Sequence, residues 1–245
     1  MKRFLELIVN EIKRNYFILK NYKFAFLTNI ISNLIFIAIF LSIVTAIFNL
    51  SQGFMMILWP IMMALIGAGG DNIKGDMQIG TLERIISKNK DFKNLLLARI
   101  LADGIWTVPV VLIVCIIFSI LSPNKALIFL QLIMVLLPLV VGSLGIGLYI
   151  SGLTIYHKDI GSIVNIVTII LMINTVLPWY NWLQNFTYIV GAIIPFLSLN
   201  IFVQSNQLSF FILACFNSLL IYVVGSILFN SYFNRTKRDK GFIRY

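Results

Sequence analysis

The chain has 245 residues, of which 60% are hydrophobic and 11% charged, where a soluble domain averages about 45–50% and about 25%. With a mean hydropathy of +0.95, a substantial soluble domain is excluded. The net charge of +10 does not point to nucleic acid, because the Lys and Arg flank apolar runs instead of interleaving with stacking aromatics.

Taken in chain order, residues 1–23 are amphipathic. Leu5, Ile8, Val9, Ile12, Tyr16 and Leu19 fall on one helical face, with Arg3, Glu6, Asn10, Lys13 and Arg14 opposite. This predicts a helix along the inner membrane surface with Lys13 and Arg14 at the interface, either a plain juxtamembrane anchor or a helix that also touches a partner. The segment is too polar, and the apolar run after it too long, for a cleavable signal.

Since a span takes about 20 apolar residues, residues 24–234 predict six transmembrane helices, at about 24–48, 54–70, 100–121, 127–151, 160–178 and 208–233. Both termini then lie on one side. If that side is the cytoplasm, the N-terminal segment, the 71–99 and 156–159 loops and the basic tail 235–245 hold 18 of the 19 Lys and Arg, leaving only Lys125 outside. The positive-inside rule therefore predicts a multi-pass plasma-membrane protein with cytoplasmic termini. Between spans 5 and 6, the uncharged stretch 179–206 is too short for two more spans. It predicts an outer re-entrant hairpin of two half-depth helices meeting near Gly191 to Pro195 and packed on those spans. Trp179, Tyr180 and Trp182 would stand at the outer interface, as anchors alone or beside cargo. The fold class is all-α.

From Gly104 to Asn234 the charged residues are Lys125, Lys158 and Asp159, so the groups that proton-driven carriers and membrane enzymes use at depth are missing there. Arg99 and Asp103 fall at the inner end of span 3. His157 has no second His or carboxylate cluster at ligand spacing and reads as a loop residue. Cys115 and Cys215 sit inside apolar runs and form no ligand group. Gly67-Ala68-Gly69-Gly70 ends a membrane helix and follows no strand, and no Gly-x-x-x-x-Gly-Lys-Ser/Thr occurs, so a phosphate loop is not expected. The chain reads as no enzyme and as holding no cofactor or metal. On span 4, Ser143, Gly147 and Ser151 recur every four positions beside Gly142 and Gly145, which favours close helix approach within the bundle or between copies. Pro60, Pro109 and Pro138 are expected to bend spans 2, 3 and 4.

The 71–99 loop is the one sizeable hydrophilic element between spans. Within it, residues 76–88 predict a helix parallel to the membrane, with Ile79, Leu82, Ile85 and Ile86 in a stripe and Glu83, Arg84 and Ser87 facing away. At these residues the chain resembles the type-2 permeases of ATP-binding-cassette (ABC) exporters, whose mark is an acidic residue, three variable positions, Gly-Thr-Leu/Met-Glu, and then Thr/Ser-Pro. Asp76, Gly80, Thr81, Leu82 and Glu83 match, as does Ser87, whereas Lys88 stands where the family usually has proline. With the amphipathic start and the outer hairpin, the resemblance covers essentially the whole chain.

The resemblance implies a half-transporter, in which two permease subunits, a homodimer or a heterodimer, each dock on a cytoplasmic ATPase subunit that carries the ATP and magnesium. Docking would use the N-terminal helix, the 76–88 coupling helix with Glu83 and Arg84, and the 156–160 loop with His157, Lys158 and Asp159. The expected cargo is apolar or amphipathic: antimicrobial or toxic peptides of bacteriocin or phenol-soluble-modulin type, or hydrophobic drugs, leaving a bacterial cell. The rival expectation is a non-transport membrane protein, an immunity or assembly factor that binds a toxin without ATP.

Overall fold

The computed structural model describes residues 2–24, 27–28, 30–32, 34–35, 38–39, 57–88, 91–121, 125–158, 160–176, 187–194 and 196–239. Among them are ten delimited helices and no strand: α1 Lys2–Asn21, α2 Trp59–Gln78, α3 Leu82–Lys88, α4 Phe92–Ile105, α5 Val108–Leu121, α6 Lys125–His157, α7 Gly161–Val176, α8 Thr187–Ile193, α9 Leu197–Ser205 and α10 Leu208–Asp239. Among the described residues three stretches are long and apolar enough to cross a membrane: Phe92–Ile113, Ile133–His157 and Leu208–Arg238. Most of the expected first span lies outside the described residues, as do Asp159, Trp179, Tyr180 and Trp182.

Three boundaries differ from expectation. The 71–99 segment is mostly helix, because α2 runs on to Gln78 and α4 starts at Phe92; its charges sit on helix faces. The 76–88 helix is two elements, since Gly80 breaks it with φ +72° and leaves only Leu82–Lys88 as α3. Pro60 and Pro109 open α2 and α5 instead of bending them, as the first turn of a helix has no use for the missing N–H. Pro138 alone of the three is interior to its helix.

Helix α6 is the hub, packing on α10 most extensively and then on α2, with α4, α5 and α9 also touching it. Glycine makes those two contacts possible. A Cβ on Gly225 of α10 would lie 2.0 Å from the Gly145 carbonyl oxygen, and one on Gly69 of α2 would lie 2.1 Å from that of Gly147. The Ser151 hydroxyl, 2.8 Å from the Gly69 oxygen and 2.7 Å from that of Gly147, caps the second contact. Gly145, Gly147 and Ser151 are therefore used inside one chain. In lipid, where burying apolar surface no longer drives helices together, such backbone proximity is a main source of association.

Between α8 and α9 the chain turns at Phe196, which is left-handed at φ 62°. The Asn217 amide of α10 donates to the carbonyls of Gly191 at 3.3 Å and Ile194 at 3.4 Å, supplying hydrogen bonds where the helix stops. Leu197 to Val203 are all buried, and α9 packs on α10 and α7. Outward, α7 exposes Ile163, Ile166, Ile169, Ile170 and Ile173, and α10 exposes Leu208, Ile212, Phe216, Leu219 and Leu220. Apolar faces of that extent need a cover such as a bilayer.

Candidate functional site

The candidate site is a polar junction of α1, α2 and α4, built as a two-rung ladder centred on α4. In the first rung the Arg99 guanidinium, 7% exposed, donates to Asp76 of α2 and reaches Glu11 of α1 at 3.4 Å. In the second, Asp103 accepts the Asn15 amide at 2.7 Å on one oxygen and the Asn72 amide at 2.7 Å on the other. Each helix contributes residues four apart: Glu11 and Asn15, Asn72 and Asp76, Arg99 and Asp103. Four-residue spacing puts both members on one face. The pairing order makes α1 run parallel to α4 and α2 antiparallel to it. Arg14 sits 2.7 Å from the second oxygen of Glu11, a charge contact lacking hydrogen-bond alignment.

Burying an arginine is costly unless charges and hydrogen bonds surround it, and the first rung supplies two carboxylates. The second rung is different. Its Asp103 is held by two neutral amides, and among the described residues it forms no ion pair. Beside it, Asp71, just past the expected end of span 2, has its carboxyl raised above the usual range by burial, with Lys74 pulling it down and Asp103 adding to the rise.

The family-like segment hangs directly on this ladder. Asp76 belongs to the last turn of α2, and its backbone oxygen accepts the N–H of Thr81 at 2.9 Å while Gly80 N–H reaches Met77 at 3.0 Å. These two bonds, with Gly80 left-handed, make a Schellman terminator. Glycine is required there because a Cβ disfavours positive φ. Thr81 starts α3, its carbonyl taking the Ile85 N–H at 3.0 Å, and Leu82, 2% exposed, anchors it. Glu83 in the first turn and Lys88 in the last complement the helix dipole. Glu83, Arg84 and Ser87 face outward as expected, but Ile79 is 77% exposed and leaves the stripe.

Among the other expected residues, Lys13 is exposed, whereas Arg14 turns inward to Glu11. Leu5, Val9 and Tyr16 of the apolar face stay exposed while Glu11 and Asn15 are buried, so α1 uses polar groups to grip the protein and offers apolar ones outward. His157 and Lys158 are exposed at the end of α6, and Lys158 is left-handed at φ 69°. The His157 ring meets Tyr156 edge-on at 4.7 Å, and Tyr156 lies 5.8 Å from Tyr232 of α10. Reading the sequence missed Glu11, Asn15 and Asn72. Their available signal was the matched four-residue spacing on three segments.

A cleft of about 500 Å³ opens beside the second rung, lined by Asn15, Asn72, Asp103 and Asp71 at one end and by Met63, Trp106 and Val110 elsewhere. A smaller one of about 320 Å³ lies across α2, where Lys74, Thr154 and Lys158 meet Asp71 and the start of α7. Among the described residues no three His, Cys, Asp or Glu side chains converge as a metal site would need. The chain matches no model of a known protein family, no curated protein and no solved structure.

Proposed function

We propose that this chain is the membrane-spanning permease subunit of an ATP-driven exporter in a bacterial plasma membrane, working as a pair of copies with ATPase subunits on the cytoplasmic side. The observation that carries this reading is the segment Asp76 to Lys88. Its Gly80-Thr81-Leu82-Glu83 core resembles the family motif and also has a mechanical form: a terminator, a helix start, a buried anchor and an exposed carboxylate. A push on α3 is transmitted to α2 through Leu82 and the Gly80 turn, and from α2 through Asp76 to Arg99 of α4 and Glu11 of α1. A helix mounted this way converts a partner's movement into a shift of three membrane-proximal helices.

In this reading six spans cross the bilayer with both termini inside, α8 and α9 form the outer hairpin, and α1 lies at the inner interface. Amphipathic peptides or hydrophobic drugs are the cargo, and ATP with magnesium is bound by the partner. Copurification tests it. The tagged chain expressed with its neighbouring reading frames should bring down a Walker-type ATPase, and Glu83→Arg should release it. A chain that retains no ATPase but holds a toxin would be the immunity or assembly protein instead.

A further inference from the structure

The cleft beside Asp103 has a chemistry that the ladder leaves unused. Nearly all of the chain is basic or neutral, yet this cavity presents two carboxylates, Asp71 and Asp103, at one end. Its other charge, Arg14, is already engaged by Glu11. Asp103 accepts two neutral amides, and among the described residues it forms no ion pair. The remaining wall includes Met63, Ile18, Val110 and Trp106. A volume of about 500 Å³ falls within the roughly 300–1,000 Å³ of small-molecule sites.

We infer that this cleft binds an amphipathic organic cation, its positive centre facing Asp103 and Asp71 across the Trp106 ring and its apolar body lying against Met63 and Val110. Charge complementarity selects the cation, because an anion would meet two carboxylates, and an aromatic face adds attraction for a diffuse positive charge. Gly67 gives the opening. It lines the cleft, and a Cβ there would meet nothing closer than the Asp71 Oδ2 at 3.8 Å, so backbone and helix packing leave the space free. The inference deepens the exporter reading by naming the cargo's charge, and it rests on that reading only for the word cargo.

The test uses the full-length chain in zwitterionic nanodiscs, without any ATPase, and two probes of equal shape and opposite charge, radiolabelled tetraphenylphosphonium and tetraphenylborate. The phosphonium should bind saturably and the borate should not. Gly67→Phe should weaken phosphonium binding by about tenfold or more, and Gly67→Ala should leave it within about twofold, since only the larger side chain fills the space. Asp103→Asn should also weaken it. Because that change disturbs a rung, Asp71→Asn, which removes charge without touching a ladder hydrogen bond, supplies the independent variant. Equal saturable binding of both probes, or phosphonium affinity unchanged in Gly67→Phe and both Asn variants, would overturn the inference. Binding by a chain that recruits no ATPase keeps the cleft and removes the exporter; recruitment without binding does the reverse.

Discussion

Where α10 crosses α6, Gly225 and Gly145 bring backbone against backbone with no charged group between them; where α4 meets α1 and α2, six polar side chains fill the gap in two rungs. The first contact is set by volume. It has one arrangement, because any Cβ collides with a carbonyl and nothing in it can be exchanged. The second is set by charge and hydrogen bonding, and its members could re-pair after a small displacement. Close packing of small residues therefore fixes α6 against α2 and α10, whereas the ladder ties α1, α2 and α4 together through exchangeable polar contacts.

The largest break of this contrast is Arg99→Met. It removes the cation shared by Glu11 and Asp76, leaving Asp76 without its counter-charge and Glu11 with Arg14 alone, a change of about 3–5 kcal/mol in comparable sites. The variant should show a much lower unfolding temperature in detergent and reduced yield. Arg99→Lys should recover only part of the loss, since one ammonium does not reproduce the planar fork that serves two partners. Full stability in Arg99→Met would mean that the ladder is not what holds α1 in place.

Next come the seam glycines. Gly69→Ala and Gly225→Ala each put a methyl within about 2 Å of a carbonyl oxygen, and overpacking of that kind costs about 1–3 kcal/mol. Gly75→Ala is the control, because a Cβ at Gly75 of α2 meets nothing within 4 Å; it should be neutral or stabilising by up to about 1 kcal/mol through helix propensity. Unfolding of the three variants side by side sharpens the comparison.

How much of this was legible in the sequence follows from the same distinction. The amphipathic face of α1 and the small-residue stripe of α6 are periodic, so their existence could be read directly. The partner of the stripe could not, since Gly69 and Gly225 lie far away in sequence and nothing local marks them as complementary to Gly147 and Gly145. The rungs were hidden for that reason too: Glu11 and Arg99 are 88 positions apart, and each alone looks like a solvated charge. The expected 76–88 helix differs at its start because Gly80 lies inside the motif yet does not continue the helix. Its left-handed φ makes it the end of α2.

A smaller effect separates those two readings of Gly80. Ala at a left-handed position costs about 1 kcal/mol, so Gly80→Ala should lower the unfolding temperature slightly. It should also extend α2 into the turn and misdirect α3, while Gly80→Asn, which tolerates positive φ better, should be milder. Equal behaviour of Ala and Asn would show that the terminator is dispensable.

The smallest expected change in stability accompanies the most specific change in behaviour. Glu83 is exposed in the first turn of α3, and an exposed carboxylate contributes at most about 1 kcal/mol, so Glu83→Ala should fold and insert like the wild type. Leu82 still anchors the helix, and Asp76 still holds Arg99. What the variant lacks is the carboxylate that, in the proposed exporter, faces the ATPase from α3. If the exporter proposal holds, the variant reconstituted with the copurified ATPase should show ATP hydrolysis at the basal rate without stimulation by cargo. The stimulated rate as a function of cargo concentration measures this. Wild-type stimulation would remove Glu83 from the coupling path, and loss of stimulation together with loss of ladder stability would assign Glu83 to the ladder itself and not to the partner.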